Sequence, residues 1–169
     1  MAEKVLVVYG SKYGATAGIA EKIGAILREE GLQVDVLQAD HTGDLTQYDA
    51  FVIGSAVYMG QWRKEVSSII KNNEKLFVGK PVWLFSSGPV EEGDPVKLAE
   101  GWSLPKSLQP VTDRIKPRDI TIFHGAIDVN KLNFLEKLIG RMLKITVADY
   151  RDWDAITNWT KNIAGELKK

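Results

Sequence analysis

The chain has 169 residues, 44% of them hydrophobic and 26% charged, which suits one globular domain over residues 1–169; no apolar run is long enough to cross a bilayer. It has no cysteine and only two histidines, His41 and His124, which excludes disulfides, thiolate nucleophiles, iron–sulfur clusters and cysteine zinc sites and disfavours a histidine metal centre. Lys plus Arg balances Asp plus Glu at 22 each, so the basic excess of a nucleic-acid binder is missing.

Met1-Ala2-Glu3-Lys4-Val5 has no signal-peptide layout, so a cytoplasmic location is the default expectation. Val5-Leu6-Val7-Val8-Tyr9, ended by Gly10-Ser11, reads as a strand buried on both faces, as in parallel sheets. Residues 15–30 place Ile19, Ile23, Ile26 and Leu27 at helical spacing, and Gly31 stands at the expected stop. A second strand is predicted over Gln33 to Leu37 and a third over Ala50-Phe51-Val52-Ile53, before Gly54-Ser55. A helix follows at about 62–73, then a fourth strand over Pro81-Val82-Trp83-Leu84-Phe85, before Ser86-Ser87-Gly88. Residues 88–118 hold Pro89, Pro95, Pro105, Pro110, Pro117 and Trp102, and read as a long loop with one short helix at 107–115. The fifth strand is Ile120-Thr121-Ile122-Phe123, and helices are predicted near 132–144 and 152–167. This alternation predicts an α/β sandwich on a parallel sheet.

Several of these strands end in small-residue turns: Gly10-Ser11, Gly54-Ser55 and Ser86-Ser87-Gly88. Ligands of open α/β sheets bind at the carboxyl ends of strands, near the switch point. The first turn, Ser11-Lys12-Tyr13-Gly14-Ala15-Thr16, opens directly into a helix. A phosphate monoester needs many donors, and a helix N-terminus offers unpaired N–H groups and partial positive charge. Gly14 permits close backbone approach, and Ser11 and Thr16 add hydroxyls, with Lys12 adjacent. Ser11 alone is better explained as a turn or capping residue, and the combination carries the phosphate reading. The loop has neither the GxGxxG nor the GxxxxGK[ST] spacing, which points to a monophosphate ligand.

The run Val7-Val8-Tyr9-Gly10-Ser11-Lys12-Tyr13-Gly14-Ala15-Thr16, with Ala20 beyond it, resembles the flavodoxin signature. The resemblance implies a three-layer flavodoxin-like sandwich: a five-stranded parallel sheet of order 2-1-3-4-5 with helices on both faces, and FMN as cofactor. It implies that Ser11, Lys12, Tyr13, Gly14, Ala15 and Thr16 surround the FMN phosphate. Ala56, Val57, Tyr58, Met59 and Gly60 would line one side of the isoalloxazine, and Ser87 and Gly88 its pyrimidine edge. The Met59–Gly60 peptide is the candidate for the flexible peptide that flavodoxins place beside flavin N5. Gly54 to Val66, His124-Gly125-Ala126, helix 132–144 and Tyr150-Arg151-Asp152-Trp153 look like the menaquinone-dependent protoporphyrinogen oxidase branch of these proteins. The loop after the fourth strand departs from it: Glu91-Glu92-Gly93-Asp94 is acidic where that branch carries a basic, aromatic-rich insertion.

Tyr58 is a candidate to stack on a flavin, against an ordinary surface tyrosine. Trp62 either covers the ring or packs under the helix it opens. Glu91, Glu92 and Asp94 either lower the potential of a nearby flavin or form a solvated acidic loop. His124, at the end of the fifth strand, either handles a proton or is a satisfied histidine. Helix 132–144 sets Leu132, Leu135, Leu138, Ile139, Met142 and Leu143 against Lys131, Lys137, Arg141 and Lys144, for sheet packing or for a membrane surface. The resemblance points first to an FMN-binding flavodoxin-like redox protein that carries electrons through the bound flavin, and three functions are weighed. The chain is an electron carrier between protein partners, an FMN-dependent dehydrogenase linked to quinone with protoporphyrinogen as one substrate, or a non-redox interaction module. The sequence leaves the oligomeric state and the catalytic residues open.

Overall fold

The computed structural model describes residues 4–90, 92–127, 136, 138 and 148–169. In chain order these form β1 (Lys4–Gly10), α1 (Ala15–Glu29), β2 (Gln33–Gln38), β3 (Ala50–Tyr58), β4 (Gln61–Trp62), α2 (Lys64–Asn72) and α3 (Glu74–Phe77). There follow β5 (Val82–Ser87), α4 (Pro95–Leu98), α5 (Gln109–Ile115), β6 (Asp119–Phe123), β7 (Ala126–Ile127), β8 (Ala148–Asp149) and α6 (Trp153–Leu167). The predicted helix 132–144 lies outside the described residues except at positions 136 and 138, which are helical.

The main sheet runs β2-β1-β3-β5-β6, every neighbour parallel, with β4 folded back on β3. With the hairpin arm set aside, this is the expected order 2-1-3-4-5. The run Val5-Leu6-Val7-Val8 explains why β1 is central: successive side chains enter opposite faces, so both faces must be covered. Val5 and Val7 pack with Ile19, Ile23 and Leu27 of α1 and Ile156 and Ile163 of α6. Leu6 and Val8 pack with Val66 and Ile70 of α2 and with Phe77, Leu108 and Val111. All four strand residues are fully buried, each stabilising the fold by roughly 1.5–3 kcal/mol.

Helix α1 stops in a Schellman arrangement. Gly31, at φ 92°, donates to Arg28 O at 2.9 Å, and Leu32 N donates to Leu27 O at 3.1 Å. The left-handed backbone is why glycine stands there.

The third strand runs five residues past its predicted end, to Tyr58, and turns back through Met59–Gly60 into β4. Tyr58 pairs with Gln61, so the loop has two residues, with φ 50° at Met59 and 74° at Gly60. Positive φ at both positions is a type I′ hairpin turn, which suits Asn-Gly better than Met-Gly. Met59→Asn is therefore expected to raise unfolding free energy by about 0.5–1 kcal/mol, read in urea denaturation. A stability loss would rule out this turn in solution.

The segment expected as a loop over 88–118 carries more order than predicted. Its prolines set helix starts: Pro95 opens α4 and Pro110 lies in the first turn of α5. The helix expected at 107–115 is a 3-10 turn (Lys106–Leu108) running into α5.

Candidate functional site

Parallel register brings the strand ends level. Gly10 pairs with Ser55, Ser55 with Ser86, Ala56 with Ser87, and Ser87 with Phe123. The chain leaves β1 toward β2 on one side and returns to β3 on the other, so the switch point lies beside β1. There the loops after β1, β3, β5 and β6 surround one cleft of about 210 Å³.

Ten sequence-selected residues line it: Ser11, Lys12, Tyr13, Ala15, Thr16, Ala56, Val57, Tyr58, Ser87 and Gly88. Gly14, Met59 and Gly60 shape the lining loops without lining the cleft. Arg63, Val90, Gly125 and Ala126 line it and were not selected. Val90 follows the Ser86 to Pro89 turn directly. Gly125 and Ala126 follow a strand end just as Gly10 and Gly54 do, and that shared position was the signal to extend the set.

The loop after β1 is built for donors. Ser11 Oγ accepts from Gly14 N at 2.9 Å, holding a turn in which Gly14 adopts φ 94° and ψ −9°. The first α-helical hydrogen bond is Gly18 N to Gly14 O, at 3.1 Å. The amides of Ala15, Thr16 and Ala17 precede it and so lack helical partners. Thr16 is buried at the mouth of this turn.

The side chains of Lys12 and Tyr13 turn to one carboxylate. Lys12 Nζ donates to Glu136 Oε1 at 2.5 Å, and Tyr13 Oη donates to the same oxygen. That hydrogen bond holds the Lys12 ammonium above its ordinary range. Burial, then the Glu136 bond, raises the Tyr13 phenol. Lys12 Nζ also stands 5.4 Å from the Tyr58 ring centroid, and Tyr58 is 60% exposed on the rim.

On the β3 side, buried Ser55 Oγ donates to Ala56 O and accepts from Arg63 N, both at 2.9 Å. Trp62 does not face the cleft. It is buried under α2, and its indole N–H donates to buried Ser86 Oγ at 2.8 Å, which is the packing alternative.

His124 is buried too. Its Nδ1 lies 3.0 Å from Pro89 O and its Nε2 2.6 Å from Gly93 O, so it ties the loop after β5 to the end of β6. It does not line the cleft; both ring nitrogens face carbonyl oxygens, and whichever carries the proton donates. Asp94 accepts from Val96 N at 2.9 Å and caps α4, while Glu92 is exposed; neither lines the cleft. Glu91 lies outside the described residues.

The Tyr150 to Trp153 segment braces α1 from behind. Arg151 donates to Ala15 O at 3.3 Å and lies 4.7 Å from the Trp153 ring centroid. Its guanidinium holds the Asp149 carboxyl below the usual range.

The family model for the flavodoxin domain matches residues 6–153. The chain belongs to this family. It is a flavodoxin-like redox protein of FMN-binding type. Protoporphyrinogen IX dehydrogenase [quinone] of Escherichia coli (strain K12) is 20% identical over 172 residues, covering 95% of this chain and 94% of that one. Among solved structures, a flavodoxin from the domain Archaea superposes with TM-score 0.64 at 15% identity, covering 98% of this chain and 99% of that one. A Fusobacterium nucleatum flavodoxin mutant bound to flavin mononucleotide gives TM-score 0.51 at 14% identity, covering 72% of this chain and 68% of that one.

The donor set fits FMN. A turn of amides opening a helix suits its phosphate, and a cleft lined largely by apolar and small residues suits a flat ring. Among the described residues, no helix is long and apolar enough to cross a membrane.

Proposed function

We propose that the cleft holds FMN, with Ser11, Lys12, Tyr13, Gly14, Ala15 and Thr16 around the phosphate. Ala56, Val57 and Tyr58 then flank one side of the ring, with the Met59–Gly60 turn at its rim, and Ser87 and Gly88 its polar edge. The protein passes electrons between redox partners through this site. The convergence of four strand-end loops on one cleft at the switch point carries this reading. When bound, FMN supplies one- and two-electron chemistry. The chain's own part is to bind, orient and leave an edge open. The amides of the first loop hold the anion, and Ser55 fixes the β3 loop. Tyr58 and Met59, 60% and 88% exposed, form a rim that a partner can reach.

The second reading is a quinone-linked dehydrogenase, and one observation favours it. Val57, Gly88, Pro89, Ala99, Trp102 and Ile122 line an apolar recess of about 220 Å³ that shares Val57 and Gly88 with the cleft. Such a recess suits a flat apolar acceptor beside the ring. The relative named for quinone spans nearly the whole chain.

An anaerobic potentiometric titration of the FMN-loaded protein decides between them. Two well-separated one-electron steps are expected for the carrier. A single two-electron step, with turnover of added quinone, would favour the dehydrogenase. Failure to bind FMN would leave the non-redox interaction module.

A further inference from the structure

Arg63 stands between β4 and α2 and lines the cleft with Ser11, Thr16 and Ala56. Two contacts fix the root of its side chain. Its backbone N–H donates to buried Ser55 Oγ at 2.9 Å. Its Cβ and Cγ lie over Gly10, where an added Cβ would fall 2.9 and 3.1 Å from them. The stem is thus pinned to the end of β1, where the donor loop begins.

The head is only partly engaged. Arg63 Nε donates to Glu65 Oε1 at 3.0 Å. The terminal nitrogens make no hydrogen bond among the described residues. A guanidinium has five N–H donors in a planar fork, so most of them remain available to a ligand. The side chain is 35% exposed, so part of its field is screened.

Lys12, the other cation of the lining, is paired as Arg63 is, but through its single ammonium. Its ammonium already donates to the Glu136 carboxylate at 2.5 Å. A phosphate monoester carries roughly −1.5 to −2 charges near neutral pH. A helix N-terminus answers with about half a positive charge. The cleft therefore meets its anion short of donors, and the terminal N–H groups of Arg63, whose charge Glu65 shares, stand at its lining to add them.

We propose that Arg63 is the cationic partner of the ligand's phosphate monoester, making the cleft selective for phosphorylated over unphosphorylated flavin. This rests on the FMN reading above. Arg63 Nε keeps its bond to Glu65, which orients the fork, while the terminal N–H groups donate to phosphate oxygens. No bond is made or broken; the contact sets affinity and ligand choice.

The test is fluorescence titration of the apoprotein with FMN and with riboflavin, at low and high salt, for wild type, Arg63→Gln and Arg63→Lys. Gln keeps the Cβ and Cγ that cover Gly10. We expect Arg63→Gln to weaken FMN binding about tenfold or more, as for loss of a charge-assisted hydrogen bond. Riboflavin binding should be little changed, and the salt dependence of FMN binding should flatten. Arg63→Lys should restore the salt dependence and part of the affinity. Equal weakening of both ligands, or of neither, would overturn the proposal. Wild type that binds neither flavin would instead bring down the FMN reading itself, and this inference with it.

Discussion

Gly54→Ala is expected to destabilise the protein by about 3 kcal/mol, lowering the melting temperature by about 6–12 °C. Gly54 pairs with Phe85 across β3 and β5, and the phenyl ring lies over its Cα. An added Cβ would fall 2.0 Å from Phe85 Cζ and 2.1 Å from Cε1, far inside contact distance. The ring has nowhere to swing. Phe85 is fully buried, with the Phe123 ring centroid at 5.9 Å and the Trp159 centroid at 6.1 Å. The methyl must displace a packed aromatic cluster or bend β3, and close-packed interiors resist both. Thermal denaturation reads the effect. Shrinking the ring in the double variant Gly54→Ala, Phe85→Leu should recover part of the loss, which separates a clash from altered strand propensity. An unchanged melting temperature for Gly54→Ala alone would place the Phe85 ring elsewhere.

The same glycine shows where sequence reading stopped. Gly54-Ser55 looks like a turn, because small residues after an apolar run are the usual end signal. The glycine is there to admit a ring from the neighbouring strand, which local pattern cannot reveal. β3 therefore runs on to Tyr58, and the turn comes at Met59–Gly60, where a methionine at positive φ breaks the usual chemistry. What was legible rested on period and punctuation. The four buried residues of β1, the helical spacing of α1 and the Gly31 stop each have a local cause, so they set the layers and, with the strand ends, the position of the cleft. Arg63 illustrates the opposite case. In sequence it is one charge at the start of a helix. Only the packing of its stem on Gly10, across the β1–β3 pairing, brings it to the first loop. Pro95 and Asp94 gave a readable helix start for α4, lost because five prolines made the whole segment look irregular. Asp94 then serves as a cap, and its charge is directed to a backbone amide.

The second large effect belongs to Gly14→Val, for which we expect FMN affinity to fall about a hundredfold, or about 2.8 kcal/mol. Gly14 sits at φ 94° and ψ −9°, immediately before α1. A β-branched residue is a genuine outlier at positive φ, so valine would drive the turn toward another conformation. Two features depend on that turn. Gly14 N donates to Ser11 Oγ at 2.9 Å, and Gly14 O accepts the first helical hydrogen bond from Gly18. Shifting the peptide therefore moves the hydroxyl and the amides of Ala15 and Thr16 together, and their common aim is what a phosphate needs. Helix α1 itself should survive, because Ile19, Ile23 and Leu27 remain packed on the sheet. Circular dichroism should thus stay near wild type while calorimetric FMN titration loses its high-affinity phase. The control is the ligand: riboflavin lacks the phosphate, so its weaker binding should change little. If both ligands weaken together, the turn supports the ring and not the phosphate, and the anion must be sought elsewhere around the cleft.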